Sequence, residues 1–220
     1  MKTNKQELKA LIFDMDGVLV DSEPLHLLAM QTFLQRFSIA YKEEDNRDFL
    51  GRKDLVIAEI LIERFKLDMT ARQFVDAKEE ILADLIRTEA KARPGVYELL
   101  AELTEMQVPL AVASSATLDT IKLVMQTLSI GHYFQHLCSG EEVKNGKPAP
   151  DIFLMAAKRL ALPPEYCLVV EDTLNGLKAA KAAGMFSVSI PCEATRHQDH
   201  SIADLAFSSL SELPLKELFC

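Results

Sequence analysis

The run Ala10-Leu11-Ile12-Phe13 is apolar without a break and ends on Asp14-Met15-Asp16-Gly17, two carboxylates one residue apart. An apolar run this short, closed by a turn signal, reads as a buried strand. Side chains two apart on a strand face the same way, so Asp14 and Asp16 reach one place while Met15 points elsewhere. Gly17 permits an abrupt departure of the backbone, because it tolerates dihedrals closed to other residues. Like charges held this close repel unless a cation sits between them or one takes up a proton. An oxygen-only donor pair suits Mg2+. The alternative for the same residues is a strand closing in an Asp-Gly turn, the second Asp merely capping it. What decides between them is whether later strands end on matching chemistry.

From Pro24, well placed for the first turn of a helix, to about Ala92, the sequence reads as helix after helix. Leu27, Met30, Phe33, Leu34 and Phe37 recur at helical spacing, as do Val56, Ile57, Ile60, Leu61 and Phe65, then Phe74, Ile81, Leu82, Leu85 and Ile86. An insert of roughly 70 residues is within the range of small modules. After Arg93-Pro94-Gly95 the style changes to strands alternating with helices. Val108 to Ala113 reads as a strand ending on Ser114-Ser115, His136 to Ser139 as a short one, and Cys167 to Val170 as one ending on Glu171-Asp172. Phe186 to Ile190 and Ala203 to Phe207 read as the last strands. The helices between them carry Val96, Leu99, Leu100 and Leu103, then Phe153, Leu154, Ala157 and Leu160, then Leu177, Ala180 and Ala183. Such alternation implies right-handed crossovers and a parallel sheet covered by helices on both faces. Ligands bind such sheets beyond the carboxyl ends of the strands, where three strands here end on polar groups.

The net charge of -9 argues against a surface that neutralises nucleic-acid phosphates. An anionic substrate would need a local positive pocket. Cys138, Cys167, Cys192 and Cys220 are far apart and form no Cys-x-x-Cys pair, so neither a zinc site nor a redox motif is indicated; the first two read as buried thiols. The polar stretch Met1 to Lys9 has no apolar segment of the kind a secretory signal requires, and no apolar run approaches membrane-spanning length. The expectation is a cytoplasmic protein with neither nucleic acid nor membrane as partner.

Carboxylates, a hydroxyl and a lysine gathered at one sheet edge suggest phosphoryl transfer, where positioning and charge neutralisation supply most of the catalysis. Asp14 would attack phosphorus. Asp16 would donate a proton to the leaving oxygen and later take one from water. Asp172, with Glu171, would join Asp14 and Asp16 around the metal. Adjacent strand residues point oppositely, and Asp172 is the preferred direct ligand; its alternative is an N-cap of the helix that follows. Ser114, with Ser115 and nearby N–H groups, would hold phosphate oxygens at a helix N-terminus, or simply cap that helix. Lys147, in a Gly-Lys-Pro turn, would ordinarily be a surface lysine. Beside an acidic site it becomes the counter-charge for nucleophile and phosphate.

Asp14-Met15-Asp16-Gly17, the Ser114 strand end, Gly146-Lys147-Pro148-Ala149-Pro150-Asp151 and Val170-Glu171-Asp172-Thr173 resemble the four ordered motifs of the haloacid dehalogenase superfamily. The helical insert after the first motif is similar to that of its β-phosphoglucomutase-like phosphatase branch. The resemblance implies an α/β fold with a Rossmann-like parallel-sheet core over residues 1–20 and 93–220, and an all-helical cap domain over 21–92. It also implies Mg2+ as cofactor and a small phosphorylated metabolite as substrate. His26 resembles a cap histidine that could couple substrate binding to Asp16; the plain reading is a helix-surface residue. Gly51-Arg52-Lys53 resembles the cap's specificity loop, where Arg52 or Lys53 would grip a sugar or a second phosphate. Lys78 is a weaker candidate, read first as part of a solvated face beside Glu79 and Glu80.

A phosphatase must admit water to the aspartyl-phosphate, whereas a mutase must exclude it. Hydrolysis is the commoner activity among such relatives, so the expected function is a Mg2+-dependent phosphatase of a small phosphorylated metabolite, a sugar phosphate foremost. The alternative is a phosphosugar mutase, and behind it a non-catalytic phosphate-binding protein.

Overall fold

The computed structural model describes residues 7–46, 49 and 54–219. The chain forms two compact units, one of residues 1–21 and 92–220, the other of residues 22–91. The first holds six strands: β1 (Ala10–Phe13), β2 (Leu110–Ser114), β3 (His136–Ser139), β4 (Cys167–Glu171), β5 (Phe186–Ser189) and β6 (Leu205–Ala206). All pair in parallel, in the order β3-β2-β1-β4-β5-β6. The chain builds outward from β1 through β2 to β3, then crosses back to lay β4 on the other side of β1. β1 and β4 thus flank the point where strand order reverses, and the crevice at their carboxyl ends is where such sheets take ligands.

β1, β2 and β4 are buried along their whole length, which is why they read as unbroken apolar runs instead of alternating ones. Helices α5 (Val96–Glu105), α6 (Leu118–Thr127), α7 (Asp151–Arg159), α8 (Leu174–Ala182) and α9 (Leu215–Phe219) accompany the sheet. On one face, Ile12, Ala113 and Val169 pack with Phe153, Ala156 and Ala157 of α7 and with Ala179 and Ala180 of α8. Small alanines let those helices approach the sheet closely.

Several strand limits differ from expectation: β5 ends at Ser189, not Ile190, and β6 spans only Leu205–Ala206 of the expected Ala203 to Phe207. β2 begins at Leu110, not Val108; Pro109 has no N–H for the ladder, and its carbonyl accepts from Leu11 N at 3.1 Å. β1 stops at Phe13, so Asp14 and Asp16 are not two residues of a regular strand. Asp14 N still donates to Val170 O at 2.9 Å, but the chain then coils, Leu19 N and Val20 N both donating to Met15 O at 2.8 and 3.1 Å. Gly17, at φ +74°, makes that coil possible.

The second unit is helical: α1 (Glu23–Gln35), α2 (Glu43–Asn46), α3 (Asp54–Phe65) and α4 (Ala71–Glu89). Pro24 stands in the first turn of α1. α4 starts at a capping box in which Thr70 and Gln73 satisfy each other's backbone N–H groups. α4 packs on α1 and α3. Phe33, Leu34, Ala58, Leu61 and Phe74 form this unit's own core, with the Phe33 and Phe74 rings edge to face, centroids 4.6 Å apart. Phe37 and Val56, expected on the apolar faces, are instead exposed.

Candidate active site

Three segments bring charge to the carboxyl edge of the sheet. Asp14 comes off β1, Glu171 ends β4 with Asp172 behind it, and Lys147 stands on the loop before α7. Lys147 Nζ lies 2.6 Å from Asp14 Oδ1, 2.6 Å from Glu171 Oε1 and 3.2 Å from the carbonyl of Ala113 at the end of β2. Its side chain is only 8% exposed, so the surface-lysine reading is wrong here. One carboxylate oxygen each from Asp14, Glu171 and Asp172 lie within 4.8 Å of one another, all three residues buried.

The two acids after β4 have different partners. Glu171 Oε2 accepts from Asp172 N (2.9 Å), Thr173 N (2.8 Å) and Thr173 Oγ1 (2.9 Å), while its other oxygen takes the lysine. Asp172 Oδ2 accepts from Thr195 Oγ1 at 3.1 Å, and Asp172 Oδ1 is buried with no partner. A buried carboxylate oxygen left unpaired is costly, and metal coordination is one way to satisfy it. Asp172 is not the helix cap considered for it. Thr173 caps α8, its hydroxyl accepting from Gly176 N.

Electrostatics point the same way. Burial pushes the Asp14 carboxyl up to about 8, with Glu171 and Asp16 adding to the rise and Lys147 opposing it. Burial also raises Asp172, helped by Glu171 and Asp14. For Lys147 burial acts downward, but Asp14 and Glu171 outweigh it and hold the ammonium above its usual range. With all three carboxylates ionised against one ammonium, the site would carry two negative charges, the charge of one divalent cation, and without such a cation the raised acids hold protons instead.

Ser114 is fully buried, and its hydroxyl lies 3.3 Å from Asp16 Oδ2 and accepts from Ala116 N at 3.1 Å. It does not cap α6; Thr117 does, accepting from Thr120 N. Ser115 is exposed on the same turn. A Cβ on Gly140 would stand 2.7 Å from Ser115 O, so the chain after β3 presses on this turn. Asp16 is not among the carboxylates of the candidate metal group; one of its contacts is the Ser114 hydroxyl.

In the helical unit, His26 is half-buried in the first turn of α1. Lys78 is buried, not on a solvated face: its Nζ pairs with Asp54 Oδ2 at 3.2 Å and Glu79 Oε1 at 2.9 Å. Burial acts to lower its pKa, yet the two acids hold it above its usual value. Arg52 and Lys53 lie outside the described residues.

Sequence reasoning placed Thr173 in a motif but gave it no role, and it missed Gly176 and Thr195. A Cβ on Gly176 would fall 1.7 Å from Glu171 Oε1, so this helical position must lack a side chain. An isolated glycine within a helical pattern is the signal that could have found it. Thr195 gives no such sign.

A parallel sheet whose two switch-point strands end on an acidic cluster closed by a lysine is an α/β architecture suited to phosphoryl transfer. The family model described as haloacid dehalogenase-like hydrolase matches residues 11–190, and the chain belongs to that family. The phosphorylated carbohydrates phosphatase of Thermotoga maritima is 33% identical over 182 residues, covering 81% of this chain and 82% of that protein. The crystal structure of CbbY from Rhodobacter sphaeroides in complex with phosphate superposes with a TM-score of 0.87 at 29% identity, over 97% of this chain and 100% of that one. A β-phosphoglucomutase structure from Clostridium difficile reaches 0.80 at 25% identity, over 95% and 94%. Among the described residues no helix is long and apolar enough to cross a membrane.

Proposed function

We propose that this protein is a Mg2+-dependent phosphomonoester hydrolase acting on a small phosphorylated metabolite, a sugar phosphate foremost, through an aspartyl-phosphate on Asp14. The observation that carries the reading is the meeting of Asp14, Lys147, Glu171 and Asp172, from three separate segments, within one buried cluster. The substrate class is supported by the relatives' names, one a phosphatase of phosphorylated carbohydrates. Work in the cytoplasm is supported by the free thiols of Cys138, Cys167 and Cys192.

Asp14 and Asp172 would hold the metal, Asp172 through its unpartnered Oδ1; Glu171, already saturated, anchors Lys147. When bound, Mg2+ offsets the charge of nucleophile and phosphate so that two anions can approach. Lys147 opposes the rise of the Asp14 carboxyl, orients it and offers its remaining capacity to a phosphate oxygen. Ser114, Ser115 and the N–H groups of their turn receive the other oxygens. A bond forms from an Asp14 oxygen to phosphorus as the ester oxygen leaves with a proton from Asp16. Water then attacks phosphorus, Asp16 recovers its proton, and the Asp14 carboxylate is released.

A phosphosugar mutase is the second reading, favoured by the likeness to a solved β-phosphoglucomutase and by His26. The test is β-glucose 1-phosphate with Mg2+ and a trace of the bisphosphate. Free phosphate is the expected product, and accumulation of glucose 6-phosphate would replace hydrolysis with isomerisation. A panel of phosphorylated sugars, nucleotides and other metabolites, with and without Mg2+, identifies the substrate.

A further inference from the structure

Beyond β5 the chain runs through a polar loop to β6, and Thr195 is buried on it. Its hydroxyl accepts from Cys192 N at 3.1 Å and lies 3.1 Å from Asp172 Oδ2. Other acceptors within reach, Cys192 Sγ at 3.4 Å and Cys192 O at 3.5 Å, are neutral and farther. A hydroxyl has one proton, and the carboxylate oxygen at the shortest distance takes it. The loop itself is fastened to the sheet. His200 Nε2 lies 2.9 Å from Thr195 O, which can only accept, so this nitrogen carries a proton; His200 Nδ1 meets Ser189 Oγ at 2.8 Å. Ser189 ends β5 in register with Glu171. The brace therefore starts and finishes at the carboxyl ends of neighbouring strands.

Resting on the metal reading above, we infer that Thr195 is a positioning residue for the metal ligand Asp172: it occupies Oδ2 and so presents Oδ1 to the ion. Without the hydroxyl, the carboxylate is free to turn about its terminal torsion, which is broad and poorly restrained by itself. Partners that orient a ligating carboxylate commonly govern metal affinity by 10- to 100-fold.

The test measures Mg2+ binding to the whole protein, freed of metal by chelation, by titration calorimetry. Thr195→Val keeps the shape and should weaken Mg2+ binding about 10- to 100-fold, whereas Thr195→Ser should restore it to within a few-fold of wild type. In turnover assays the valine variant should need correspondingly more Mg2+ for half-maximal rate, with KM for the phosphorylated substrate little changed. Equal Mg2+ affinity of Thr195→Val and wild type overturns the inference, as does failure of the serine variant to rescue. Should the valine variant not fold, Thr195→Ala is measured in its place, and its failure to fold too would make the hydroxyl a structural requirement and overturn the inference. No Mg2+ binding by wild type would instead overturn the metal reading beneath it.

Discussion

Replacing Asp14 by Asn preserves the side chain's outline and removes the anionic oxygen proposed to attack phosphorus. Turnover of a generic aryl phosphate with Mg2+ should fall by about 10³-fold or more, with the circular dichroism spectrum unchanged; persisting turnover would exclude covalent catalysis by this residue. The same variant isolates a pH effect. In chelator-treated wild type, Asp14 titrates near 8 in the folded state, against about 4 in an unfolded chain. Between those values the folded state holds a proton that the unfolded state has lost, so stability falls as pH rises. The melting temperature of wild type should therefore drop relative to Asp14→Asn from about pH 4 to about pH 8, and Mg2+ should close the gap. A constant difference between the two across that range would contradict the raised carboxyl. Lys147→Met leaves Asp14 and Glu171 buried without their shared ammonium. Breaking such a pair costs about 3–5 kcal/mol, to be read by denaturant unfolding of the metal-free protein.

Whole elements, more than single contacts, aim these groups. The segment from β4 into α8 sets Glu171 by three donors from the start of the helix, and this works only because Gly176 leaves room for the carboxylate. Gly176→Ala should displace Glu171, loosen Lys147 and cost about 1–3 kcal/mol from overpacking. Gly17→Ala combines a strained φ of +74° with a Cβ 2.2 Å from Asp172 Oδ2, and should impair Mg2+ binding as well as stability. Wild-type Mg2+ affinity in Gly17→Ala would show that the turn after β1 does not constrain Asp172. β1, β2 and β4 were legible in the sequence because burial on both faces makes them continuous apolar runs. Their ends were less so: β1 stops just before Asp14 because the coil that closes on Met15 O takes over, and no local pattern announces it.

For the molecule as a whole, each unit owns a separate buried core, so damage to one should be felt first by that unit. Phe74→Ala, at the centre of the helical core, should cost about 3–5 kcal/mol. Hydrogen exchange should speed up in α1, α3 and α4 while the amides of β1 and β4 stay protected; equal acceleration in both would mean that the units unfold as one. What the sequence determined by itself was the parallel α/β sheet, the helical insert and the acidic strand ends, since hydrophobic period and turn residues are local quantities. Which acid keeps an unpartnered oxygen was decided only by tertiary structure. Glu171 and Asp172 are adjacent and chemically alike, and they part company because Lys147 and the α8 N-terminus saturate one while Thr195 leaves an oxygen of the other free. Lys78 was misjudged for the same reason: Glu79 is its neighbour in the chain, but Asp54, 24 residues away, is supplied by the fold. Partners that distant in sequence meet only when the chain is packed.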